Sequence, residues 1–109
     1  MLEEGESKES VKLDLNNQVF QHDWLSLDKD ERSRVADTLK KLLKMTWAQV
    51  YRDPGLNWEK VTSVKPHKGI DAIYTLRITR SRRATAIRQG NFLRPLSIAS
   101  DHDAAYGKK

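Results

Sequence analysis

The 109-residue chain contains no cysteine. Disulfide scaffolds, thiolate-bound zinc, cysteine-ligated iron–sulfur clusters and thiol catalysis are excluded on that ground. Long apolar runs are missing too, and none approaches the roughly 20 residues that a membrane-crossing helix needs. The opening residues, MLEEGESKES, are acidic where a secretory leader is basic and then apolar. Apolar residues are scarce at 38%, yet enough for one core if helices or a sheet gather them. There is neither an internal repeat nor a low-complexity segment. What remains is a soluble, basic single domain, expected in the cytoplasm and without a membrane partner.

A further absence is local. The net charge is +5, too small to name a partner, but it is unevenly spread. Residues 1–10 sum to −3 and hold little that could be buried, so they read as a disordered acidic tail preceding a domain at 11–109. Residues 11–71 sum to +2. From Ala72 to Ser100 there is no Asp or Glu, and six arginines occur: Arg77, Arg80, Arg82, Arg83, Arg88 and Arg94. A charge run is ordinarily a solvated surface. Such surfaces mix signs and use Lys as readily as Arg, whereas an acid-free, all-Arg stretch suits bidentate phosphate recognition by the planar guanidinium. An anionic partner is expected, RNA first.

Hydrophobic spacing supplies the frame. Val11, Leu13 and Leu15 alternate with polar residues as in a short half-buried strand. Val19, Phe20, Trp24, Leu25 and Leu27 recur at helical spacing and predict a helix from about Asn17 to Leu25. Asp28 with Glu31 three residues on forms a capping-box pattern. The helix behind it carries a Val35, Leu39, Leu42, Leu43 stripe, and Lys40, Lys41 and Lys44 complement its C-terminal dipole. These two helices are expected to form a hairpin with one shared apolar face. A helical turn over 46–52 with Trp47, Val50 and Tyr51 inward ends at Asp53-Pro54-Gly55. The period then becomes two, with strands expected over 58–64, 73–79, 83–88 and 92–99. Gln89-Gly90-Asn91 reads as a hairpin turn, and Pro95 belongs at a strand start, bulge or edge. The order is that of an α+β sandwich, an N-terminal strand and a helical hairpin followed by an antiparallel meander of three to four strands.

The loop between the strands at 73–79 and 83–88 decides which residues share a face, since a one-residue slip exchanges the faces. A two-residue loop would set Arg83 and Thr85 beside Leu76, against the helices. A three-residue loop, Arg80-Ser81-Arg82, pairs Thr79 with Arg83. It leaves Leu76, Ile78, Ala84 and Ala86 on one face and Thr75, Arg77, Arg83 and Thr85 on the other. Only the second arrangement segregates cleanly. It brings two guanidiniums together on the face away from the helices, where they predict either a phosphate site or a carboxylate partner such as Asp101 or Asp103.

The last segment holds Asp101, His102, Asp103 and Tyr106. Consecutive spacing does not let these side chains converge on a metal, so none is expected. Taken alone the segment reads as a polar tail with Tyr106 packed at the sheet edge. Its chemical potential is acid–base, from an imidazole titrating near neutrality beside carboxylates and a phenol.

Tyr74-Thr-Leu-Arg77-Ile, Arg83 opening the next strand, Leu96-Ser-Ile, and the terminal His102, Asp103 and Tyr106 together resemble the RelE/ParE superfamily of bacterial toxins. The element order fits that superfamily from Val11 onward. The resemblance implies a ribosome-dependent, metal-free endoribonuclease without a cofactor, whose partners are mRNA, the ribosome and a cognate antitoxin. It implies that Arg77 and Arg83 bind phosphate and transition-state charge. It places acid–base and stacking roles at His102, Asp103 and Tyr106, with His67 a further candidate acid. Lys65, His67 and Lys68 match the family's basic loop, and Arg80, Arg82 and Arg88 extend the expected RNA contact. Members of the ParE branch keep the fold without the nuclease residues and act on DNA gyrase. A non-catalytic inhibitor or binding module is therefore the alternative.

Overall fold

The structure, a computed structural model, describes residues 8–62 and 72–100. In chain order it contains β1 (Lys12–Leu13), α1 (Gln18–Leu25), α2 (Lys29–Leu43), α3 (Trp47–Arg52), β2 (Glu59–Lys60), β3 (Tyr74–Thr79), β4 (Arg82–Gln89) and β5 (Phe92–Ser100). The strands form one sheet in the order β1-β5-β4-β3-β2. β1 runs parallel to β5 and the other pairings are antiparallel. The expected α+β architecture is the observed one. No helix among the described residues is long and apolar enough to cross a membrane.

Each helix begins where a side chain caps it. Asn17 and Asp28 accept from the N–H groups of Phe20 and Glu31, and Thr46 and Gln49 form a reciprocal capping box on α3. The box expected at Asp28 is made from one side. Glu31 turns its carboxylate to the sheet instead, taking Thr79 Oγ1 at 3.3 Å and Arg82 Nε at 3.0 Å.

The core joins Phe20, Val35, Leu39, Leu42, Trp47 and Val50 of the helices to Leu76, Ile78, Ala84 and Ala86 of one sheet face. Burying a side chain of the larger kind contributes about 2–3 kcal/mol. The predicted apolar stripes are narrower in the fold than in the sequence. Val19 and Leu25 are exposed, as is Leu43. α1 spans only two turns, and its inward side is Phe20, Asp23 and Trp24, at i, i+3 and i+4. Trp24 Nε1 donates to the Arg32 carbonyl (3.1 Å), which clasps the helical hairpin. Asp23 Oδ2 accepts from the Ile98 N–H (2.9 Å), satisfying β5 on the side where the two-residue β1 has ended. Leu43 sits about 100° round the helix from Leu42, past the edge of the buried stripe.

The strand expected over 58–64 is Glu59–Lys60 in the fold, extended by a Val61 N–H to Ile73 carbonyl bond of 2.8 Å; residues 63–71 lie outside the described residues. Gly90 opens the β4–β5 turn with φ 62°, a conformation suited to glycine. Pro95 lies at a bulge, where the pairing jumps from Thr85↔Ser97 to Ala86↔Pro95.

Candidate nucleic-acid interface

The β3–β4 hairpin determines where the arginines go. Its turn is Arg80-Ser81, two residues, with Thr79 opposite Arg82. This corrects the three-residue loop and its Thr79–Arg83 pairing. The expected faces survive because β3 carries an irregularity between Arg77 and Thr79, the extra residue shifting the register back. Arg77 then stands directly opposite Arg83, and Thr75 opposite Thr85. Leu76 and Ala84 share the helix-covered face.

Cross-strand partners bring their Cβ atoms to about 5 Å, so the two guanidiniums leave the backbone side by side. Their surroundings differ. Arg83 is only 3% exposed. Its Nη2 donates to Thr75 Oγ1 (2.8 Å) and to the Asn57 carbonyl (3.2 Å), and lies 3.8 Å from Glu59 Oε1. A guanidinium does not deprotonate, so this buried cation requires that ring of acceptors. Among the described residues the carboxylate beside it is Glu59; Asp101 and Asp103 lie outside them. Arg77 is half-buried and donates from Nη1 to the Arg80 carbonyl (2.9 Å), bracing the turn. Thr85 and Ser97 continue the polar face with a hydroxyl pair at 2.6 Å.

Asn57 and Glu59 were not legible as site residues. Asn57 adopts φ 49°, a left-handed conformation that asparagine tolerates better than most. The preceding Leu56 carbonyl accepts from the Arg77 N–H (2.7 Å), and the Asn57 carbonyl is aimed at Arg83. An Asn shortly after Asp-Pro-Gly was the available signal.

The remaining arginines do not form one surface, which corrects the expectation of a single Arg-built face. Arg82 points toward α2 and pairs with Glu31. Arg88 lies with its guanidinium carbon 4.1 Å from the Trp47 ring centroid and donates to the Gly90 carbonyl. Arg94 approaches Asp14 at 3.7 Å. Arg80 is exposed at the turn. No family model matches the chain, and no curated protein does. One solved structure resembles it.

That structure is the YoeB dimer from Staphylococcus aureus, 16% identical, covering 89% of this chain and the whole of its own, with a TM-score of 0.48. Of the residues singled out from sequence, Lys65, His67 and Lys68, and likewise His102, Asp103 and Tyr106, lie outside the described residues. At the end of the described residues Ala99 pairs with Arg83 and Ser100 with Arg82. Among the described residues no cluster of three His, Asp or Glu could hold a metal ion.

Proposed function

We propose that the chain is the toxin of a type II toxin–antitoxin system and cleaves mRNA on the ribosome, using no cofactor. The observation that carries this reading is the cross-strand pair of Arg77 and Arg83, with β5 running beside it as far as Ser100. His102 follows Ser100 by two residues, a span of at most about 7 Å. One locus can thereby combine cations, an imidazole, carboxylates and a phenol. Cleavage through the ribose 2′-hydroxyl needs a base for that proton, cations for the charge on the phosphorane, and an acid for the departing 5′-oxygen. Arg77 and Arg83 supply the positive charge. His102 or Asp103 takes the 2′-hydroxyl proton, and Tyr106 or His67 protonates the leaving oxygen. The resemblance of residues 74–106 to RelE-type toxins supports the same assignment, with an antitoxin as the partner that silences it.

A second reading rests on the burial of Arg83. Its Nη2 is already engaged by Thr75 and Asn57 and lies near Glu59, as suits a structural arginine in a non-catalytic binder of the same fold. Induced expression in bacteria separates the two. A nuclease arrests growth and leaves codon-positioned cuts visible by primer extension, and His102→Ala or Tyr106→Ala abolishes them. A binder arrests growth without cuts, and both variants keep its affinity. Intact mRNA with unimpaired translation refutes the nuclease.

A further inference from the structure

The fold gathers a second group of cations on the helical side, drawn from residues 37–54 and outside the acid-free third of the sequence. A cleft of about 730 Å³ opens between the C-terminal half of α2 and α3, with Met45 in its lining and Lys40, Lys41, Lys44 and Arg52 around it. Asp37 and Asp53 are the acidic residues lining it, and Asp53 is held by Lys41 at 3.0 Å. Lys40, Lys44 and Arg52 are exposed, and among the described residues they enter no ion pair. A smaller hollow of about 190 Å³ lies at the edge of β3 and is lined by Arg77, Arg80 and, again, Lys41. Lys41 is therefore the shared wall between the two. The cations run continuously from the β3–β4 turn, across Lys41, into the α2–α3 cleft.

We propose that this track holds the sugar–phosphate backbone of single-stranded RNA, which passes from Arg77 and Arg80 over Lys41 to Lys40, Lys44 and Arg52. The inference rests on RNA being the partner under Proposed function and adds a path for the strand. A positively charged groove following a flexible backbone is the usual physical basis of sequence-independent single-strand binding. Charge complementarity favours a polyanion: an excess of cations lines the cleft, and among the described residues three of them lack a carboxylate to satisfy them.

The test is fluorescence anisotropy of a short labelled oligouridylate titrated with the full chain at several salt concentrations. The triple variant Lys40→Gln, Lys44→Gln, Arg52→Gln alters exposed side chains only, and an unchanged melting temperature verifies its fold. It is expected to bind about tenfold more weakly and to flatten the log K against log salt slope by about 0.7 for each phosphate that the variant no longer neutralises. Lys29→Gln, at the opposite end of α2, is expected to leave both unchanged. Equal binding by the triple variant and the parent overturns the track, as does failure of the parent to bind at low salt. Retained RNA affinity with loss of binding to a polyglutamate peptide overturns it in favour of an acidic protein partner. Slopes that change as expected in a chain that makes no mRNA cuts preserve the track and refute the nuclease alone.

Discussion

Replacing Arg83 by alanine tests whether this arginine is architecture as well as chemistry. The side chain is 3% exposed and serves two neutral acceptors, Thr75 Oγ1 and the Asn57 carbonyl. Truncation removes the donor to the carbonyl of the exposed Asn57, which water can replace in part, at about 1 kcal/mol. It also removes the packing of the aliphatic stem. Thr75 can rotate its hydroxyl toward another acceptor, and the exposed Glu59 contributes little. The expected loss is about 3 kcal/mol, which in a domain of this length lowers the melting temperature by roughly 10–20 °C. Arg77→Ala removes a half-buried side chain with a backbone bond to Arg80, and its cost is about 1 kcal/mol. Urea denaturation followed by tryptophan fluorescence measures both. Arg83→Lys keeps the charge but loses the fork, so its stability falls between the parent and the alanine variant. An Arg83→Ala midpoint equal to the parent's refutes the assignment of a structural role, and loss of activity in that variant then reports on the reaction alone. If the midpoint drops as expected, Arg77→Ala is the cleaner probe of the proposed nuclease site.

Three further outcomes follow from the packing. Glu31→Ala releases both Thr79 and Arg82 from α2 and is expected to cost about 1–2 kcal/mol, with a double-mutant cycle against Arg82→Ala giving a coupling near 1 kcal/mol; zero coupling contradicts the pair. Burial tends to raise the Asp53 carboxyl, but Lys41 and the Leu56 N–H hold it below its ordinary value. Its contribution is therefore present above the ordinary carboxylate range and is lost as pH falls through the folded-state value, so acid denaturation profiles of Asp53→Asn should be flatter than the parent's below about pH 5. Leu42→Ala is expected to cost about 2–5 kcal/mol and Leu43→Ala less than about 0.5 kcal/mol, although the two are neighbours in one predicted stripe.

Much of the fold was legible because its elements announce themselves locally. Asp28 and Thr46 cap their helices, Pro54 stops one, and the alternation of Leu76, Ile78, Ala84 and Ala86 chooses a sheet face. What local pattern did not carry was width and register. Val19, Leu25 and Leu43 fit a helical period, but all three are exposed, because the buried stripe of these helices is narrower than the apolar one. The loop at Arg80-Ser81 came out one residue shorter than expected, and a bulge at Ile78 restored the faces. Segregation of polar from apolar residues thus constrained the sheet more tightly than the length of its turn, because the cost of burying a second arginine exceeds that of a bulge.

The arginine-rich third poses the opposite problem. Counted along the chain it is one cationic block, yet the sheet sends its members in different directions. Arg82 goes to Glu31, Arg83 to Thr75 and Asn57, Arg88 to Trp47 and Arg94 toward Asp14. A strand alternates its side chains between faces, so a run of like charges on a hairpin is divided by geometry before any ligand arrives. A helix does the reverse. Lys40 and Lys44, four residues apart, return to the same side one turn later, and Arg52 meets them across the cleft from α3. Acid-free composition therefore marked where arginines support the sheet, whereas Lys40, Lys44 and Arg52, which enter no ion pair among the described residues, lie on or at the end of helices whose sequences look balanced. Arg80 at the turn and these lysines are solvent-exposed cations, whereas Arg83 is 3% exposed and donates to Thr75 and Asn57.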